Sequence, residues 1–159
     1  FRIRTFGECD AGRGPSEAAA ITKMGLEVME EANKQHKVQH PLIPENNKVL
    51  LAEFGIHKKG ENARNCVIFG AKNVDRSPCG TGTCAKMALL AAKGELKPGE
   101  KFLHESILGT VFEGHYEPGL KVGDFDAVQP YIKGAANITG FNWLVQQDSD
   151  SLLPGFLLG

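Results

Sequence analysis

Between Cys84 and Lys93 the chain reads Cys-Ala-Lys-Met-Ala-Leu-Leu-Ala-Ala-Lys, and only two lysines interrupt an otherwise apolar run. A helix that is apolar on nearly all sides has to be covered on nearly all sides. The segment therefore predicts a buried central helix, and the rest of the chain must wrap around it. Gly94 suits the position just past the helix end, with Lys93 in the last turn against the negative pole. The wrapping material is β-rich. Val49–Phe54 and Asn65–Phe69 read as strands, with a Lys58–Asn62 turn between them and Gly70 closing the second. After Gly94, Phe102–Ile107, Thr110–Tyr116, Ala127–Lys133, Ala135–Thr139 and Phe141–Val145 read as short strands separated by Gly, Pro or Asp turns.

One further helix is legible upstream. Phe1–Pro15 holds three glycines and a proline and reads as a strand and loop, after which Ser16 is a suitable N-cap. Ile21, Met24, Val28 and Ala32 then recur at helical spacing, with Glu17, Lys23, Glu27 and Glu31 on the other faces. This amphipathic helix ends before Pro41 and packs on the outside of the sheet. His36 and His40 share a helix face at i, i+4; with no third ligand nearby in sequence they read as a solvated face rather than as a metal pair. The fold class expected is α+β: a curved, mostly antiparallel sheet or barrel around one buried helix.

Composition bounds the function. A 159-residue chain with 42% hydrophobic and 23% charged residues is one ordinary globular domain. A net charge of −1 provides no field for nucleic acid, and no apolar run reaches the length of a membrane span. Cys9, Cys66, Cys79 and Cys84 match no zinc spacing and call for no disulfide framework, so no metal is expected and a cytoplasmic setting is. The chain begins at Phe1 without an initiator Met and reads as a fragment, a processed product or one piece of a larger polypeptide.

The chemistry concentrates where the central helix begins, at Pro78-Cys79-Gly80-Thr81-Gly82-Thr83. The first amides of a helix have no internal partners, and glycines let a ligand come close to the backbone. Such a turn holds an anion against the positive helix end, and a cysteine placed there is the kind that reacts as its thiolate. A phosphate-binding P-loop would need a Lys after its second Gly, and a dinucleotide fingerprint would need a third Gly; neither is present. The cradle suits an α-carboxylate. Asp75, four residues before Cys79, either pairs with a substrate ammonium or hydrogen-bonds the loop itself. Together these groups describe an α-amino acid held with its Cα over a sulfur.

The run Asp75-Arg76-Ser77-Pro78-Cys79-Gly80-Thr81-Gly82-Thr83 resembles the second active-site motif of the proline racemase family, which includes hydroxyproline 2-epimerases. The likeness extends to the strand ending in Phe69, to Glu105-Ser106-Ile107-Leu108-Gly109-Thr110 and to Thr139-Gly140-Phe141-Asn142, covering roughly Gln39 to the end. The resemblance implies that Cys79 is one of two catalytic thiols. It further implies that Gly80 and Thr81 donate backbone N–H groups to the substrate carboxylate, that Asp75 meets the ring nitrogen and that Phe69 lines the apolar pocket around the ring. The implied fold is diaminopimelate-epimerase-like: two similar lobes, each a sheet around a central helix, with the site between them. No cofactor is expected. Removing the Cα proton leaves a planar centre, and inversion needs a proton delivered to the opposite face, hence two flanking thiols.

The family's other motif, Met-Cys-Gly-His-like and placed in the first lobe, is absent; Cys9 lies in Gly7-Glu8-Cys9-Asp10-Ala11-Gly12, which does not match it. Residues 1–159 therefore resemble a single lobe, the C-terminal half of a two-lobed enzyme. The expected partners are proline or hydroxyproline and a complementary first lobe carrying the other thiol, in the same chain or a second one, within a dimer. Cys66 and Cys84 read as core. Two other functions compete. Dehydration of trans-3-hydroxyproline is set against by the thiol, because related dehydratases carry Thr where Cys79 stands. A non-catalytic amino-acid-binding module would need no second thiol.

Overall fold

The computed structural model describes residues 18–57, 61–70, 73–152 and 155. The expected strand, loop and N-cap over Phe1–Ser16, with Cys9, lie outside them, as do Lys58, Lys59 and Gly60 of the expected turn. Two helices and six strands run in the order α1 (Ala18–Gln35), β1 (Leu51–Ile56), β2 (Ala63–Phe69), β3 (Asn73–Val74), α2 (Gly80–Ala92), β4 (Phe102–Glu105), β5 (Val111–Val122) and β6 (Phe125–Lys133). The strands form one curled, mixed sheet in the order β1-β2-β4-β5-β6, with the short β3 paired to the end of β2. All pairings are antiparallel except β2 with β4, where Ala63 faces His104 and Arg64 faces Glu105. That parallel pairing requires a crossover, and α2 supplies it.

Alternation along β2 divides the core in two. Cys66 and Ile68 face α1 and pack with Ile21, Met29 and Ala52. Ala63 faces the other side and joins Met87, Leu90, Leu96, Phe102 and Tyr116 beneath α2. Close approach of helix to sheet rests on glycine at Gly114, where a Cβ would stand 3.0 Å from Met87 Sδ. α2 ends as its sequence requires: Gly94 takes φ 71°, a left-handed conformation that a side chain would strain, and Glu95 N–H bonds to Leu90 O at 2.8 Å.

Several expectations need correction. The buried stripe of α1 is Ile21, Thr22, Gly25 and Met29, whereas Met24 is 47% exposed. Counting only apolar residues hid this face. Thr22 satisfies its hydroxyl on Ala18 O at 2.6 Å, and Gly25 lets the helix come down onto Ile68. α1 ends at Gln35, so His36 and His40 share no helix face; His40 Nδ1 instead accepts from the amides of Leu42 and Ile43. Val49 is not in the sheet, because both its N–H and its C=O are taken by the Asn33 side chain at 2.8 and 2.9 Å. α2 is buried along Gly82, Thr83, Met87 and Leu90 but leaves Ala85 and Ala92 exposed, since the sheet covers one side of it. Finally, Ala135–Thr139 and Phe141–Val145 are not strands. They have no sheet partner among the described residues, and β-propensity cannot replace the backbone hydrogen bonds a partner would supply.

Candidate active site

Cys79 is the residue on which the site turns. It caps the N-terminus of α2 and is the only non-glycine among the described residues with a positive φ, at φ 63°, ψ 118°. Its Sγ accepts from Gly82 N–H at 3.3 Å and lies 3.4 Å from Thr81 Oγ1, and its C=O takes the first helical bond from Thr83 N–H at 2.9 Å. The amides of Gly80 and Thr81 have no acceptor among the described residues, as the first turn of a helix leads one to expect. Both residues are exposed, and the space above Gly80 is open. The arrangement is a buried cysteine, 7% exposed, whose sulfur stands at a positive helix end with two amides that have no acceptor among the described residues.

The preceding turn is tied down from both sides. Asp75 N–H bonds to Val67 O on β2 at 2.9 Å, and Asp75 Oδ1 accepts from both the N–H and the hydroxyl of Ser77 at 2.9 Å. Ser77 Oγ in turn accepts from Cys79 N–H at 3.1 Å. Of the two roles open to Asp75, one oxygen serves the loop. Arg76 O is held by Thr110 Oγ1 at 3.3 Å, which ties in the turn after β4. Asp75, Cys79, Gly80 and Thr81 thus share one hydrogen-bonded turn. Phe69 is connected to that turn through β2: it ends the strand, is 37% exposed, and lies on the same pleat face as Asn65.

Four residues behind the turn escaped sequence reasoning. Asn65 Nδ2 donates to Pro78 O at 2.7 Å, and Thr83 Oγ1 donates to the same carbonyl at 3.2 Å. Thr83 Oγ1 is also 2.9 Å from Nδ1 of His104, whose ring is fully buried on β4. Glu53 of β1 reaches in from the side, with its Oε1 3.8 Å from His104 Nε2 and its other oxygen packed against Gly82. Burial pushes the Glu53 carboxyl up to about 7, against the pull of Lys86 and a hydrogen bond from Asn65. Burial likewise pushes His104 down to about 4, assisted by the charges of Lys86 and His57. The pair is therefore neutral near pH 6, not an ion pair. The signal available was a polar residue at the in-phase, inward position of an apolar strand: Asn65 in Ala63–Val67 and His104 after Phe102.

Among the described residues no three His, Cys, Asp or Glu side chains gather as a metal site, and no helix is long and apolar enough to cross a membrane. Cys66, Cys79 and Cys84 all carry thiols. Cys66 is buried in β2 as expected, whereas Cys84 is half-buried, with its thiol pushed up first by burial and then by Cys79.

The family profile described as proline racemase matches residues 11–157, beginning well upstream of Gln39, where the motif resemblance starts. A proline racemase of Clostridioides difficile is 47% identical over 146 residues, covering 91% of this chain and 44% of the relative. A 4-hydroxyproline epimerase of Brucella ovis is 46% identical over 127 residues, covering 78% of this chain and 38% of the relative. Among solved structures, a hydroxyproline epimerase from Agrobacterium vitis with bound trans-4-hydroxy-L-proline superposes with a TM-score of 0.76 at 34% identity, covering 91% of this chain and 42% of that one. The chain spans less than half the length of these relatives.

Proposed function

The chain belongs to the proline racemase family, and from that premise we propose that it forms one lobe, the C-terminal half, of a cofactor-independent racemase or epimerase acting at Cα of proline or hydroxyproline. Cys79 is one of its two acid/base thiols. The observation that carries this reading is the sulfur at the start of α2 beside the amides of Gly80 and Thr81, which have no acceptor among the described residues.

The amides take the substrate carboxylate, which draws charge from Cα as its proton leaves. The free oxygen of Asp75 meets the ring nitrogen, and Phe69 borders the ring. The Cys79 thiolate removes the Cα proton and becomes a thiol; the electron pair spreads onto the carboxylate. The thiol of the complementary lobe, borne by the same polypeptide or a second chain, returns a proton to the opposite face and becomes a thiolate. The reverse reaction exchanges the two roles. Proton and charge balance without any other reactant.

The test is solvent deuterium exchange at Cα of proline and of 4-hydroxyproline. With the complementary lobe present, exchange and inversion are expected, and Cys79→Ser should slow both by roughly 10²- to 10⁴-fold, the usual worth of a positioned acid/base. Undiminished exchange in Cys79→Ser overturns the reading. A second reading, an amino-acid-binding module without turnover, is favoured by the placement of Cys66 within β2 and Cys84 within α2, so that Cys79 is the one cysteine of the turn itself. It predicts that proline protects Cys79 from alkylation while no exchange occurs in either setting.

A further inference from the structure

Glu53, His104 and Asn65 lie behind the Cys79 turn and support it, Asn65 at Pro78 O, His104 at Thr83 Oγ1 and Glu53 against Gly82. Their hydrogen-bond bookkeeping is informative. Thr83 Oγ1 spends its one proton on Pro78 O, so its oxygen accepts from His104 Nδ1–H. His104 Nε2 is then a bare acceptor, in a ring with no exposure, and it has no donor among the described residues. Asn65 Oδ1 is a second buried acceptor without a donor among the described residues. The group adjoining both residues is the Glu53 carboxyl, 3.8 Å from Nε2 and within hydrogen-bonding range of Asn65. An ionised carboxylate would add two more acceptors, whereas a protonated one brings a single donor, enough for one of the two. The same carboxyl occupies the space where a Cβ on Gly82 would sit, and Cys79 Sγ lies 3.4 Å from that same point.

We propose that Glu53, set beside His104 and Asn65, is a positioning residue whose carboxyl charges and discharges beside Cys79 and so governs how readily the sulfur ionises. The proposal rests on the reading of Cys79 as the acid/base thiol. Below neutral pH the carboxyl carries a proton and its effect on the sulfur is small. Above its pKa, about 7, it bears a negative charge next to Sγ and disfavours the thiolate. In a two-thiol isomerase one sulfur must start protonated, and a charged Glu53 favours that state at Cys79. The other titratable groups around the carboxyl are Lys86 on α2, which opposes it, and His57 at the end of β1, which acts on His104.

The test needs no substrate, so it can fail independently of the isomerase reading. The rate of iodoacetamide alkylation at Cys79 is followed by peptide mass spectrometry in the full chain and in Glu53→Gln. At pH 5.5, where the carboxyl is neutral in the one and absent in the other, the two rates should agree. At pH 8.5 Glu53→Gln should react about threefold faster or more, the water-like lower limit for neighbouring unit charges. A rate ratio that is the same at both pH values overturns the proposal. Should Glu53→Gln not fold, the unsubstituted chain decides alone: the Cys79 ¹³Cβ shift should step at the pH where the Glu53 ¹³Cδ titrates, and the absence of a step overturns it.

Discussion

At Cys79 a residue with a side chain occupies backbone space that favours glycine, and holding it there costs about 1–3 kcal/mol. The surroundings supply the restraint: Ser77 Oγ on its N–H, Asn65 and Thr83 on the preceding carbonyl, Gly82 N–H on its sulfur. Cys79→Gly should accordingly unfold at higher urea than Cys79→Ala, by about 1 kcal/mol, although both lose the thiol. Equal stability would mean that the turn relaxes when the sulfur is removed. At Glu53 and His104 the signs oppose. The raised Glu53 pKa favours the folded state at low pH, and that contribution is lost as pH rises through about 7. The depressed His104 pKa favours the folded state above pH 6.5, and that contribution is lost as pH falls through about 4. Between roughly 4.5 and 6.5 the two slopes cancel, because the folded state keeps on Glu53 the proton that the unfolded chain keeps on histidine. Denaturation of Glu53→Gln should reveal stability rising with pH across that window, and His104→Gln stability falling.

The elements meet at positions where small or polar residues were essential. α2 can lie beside β1 because Gly82 has no Cβ; Gly82→Ala would drive a methyl into the Glu53 carboxyl. Because that carboxyl is the far end of a flexible side chain, it can swing aside, and the denaturation midpoint should fall only slightly. Thr83 couples α2 to β4 through His104 and to the active turn through Pro78. Thr83→Val keeps the shape but strands the His104 donor, and should cost about 1–3 kcal/mol and slow alkylation of Cys79 less than it lowers stability. α1 is anchored differently, by apolar contact on β1 and β2 and by the Asn33–Val49 pair at its end. Its surface ion pairs, such as Lys34 with Glu30 at 2.7 Å, are solvent-exposed and add little.

At the scale of the molecule, the sheet covers one side of α2, and beyond β6 an apolar stretch stands in solvent: Ile138, Phe141, Trp143, Leu144 and Val145. Trp143 is the single tryptophan and is 95% exposed, so its emission should be red-shifted and readily quenched by iodide; a blue-shifted, protected signal would show this stretch packed. The sequence by itself determined the family motif, the existence and ends of α2, the strands β2 and β4 to within a few residues, and the placing of Asp75, Cys79, Gly80 and Thr81 on one turn. These are local matters, set by periodicity, capping and the unpaired amides of a helix start. Only the tertiary structure decided which face of α1 is buried, because Gly25 is chosen by fit against Ile68 rather than by hydrophobicity, and Thr22 beside it hides its hydroxyl on Ala18 O. It alone excluded strands after Gly134 among the described residues, because a strand needs a neighbour. And it alone gathered Glu53, Asn65, Thr83 and His104 behind the sulfur, since they come from three strands and a helix and their pairing depends on contacts that no spacing along the chain records.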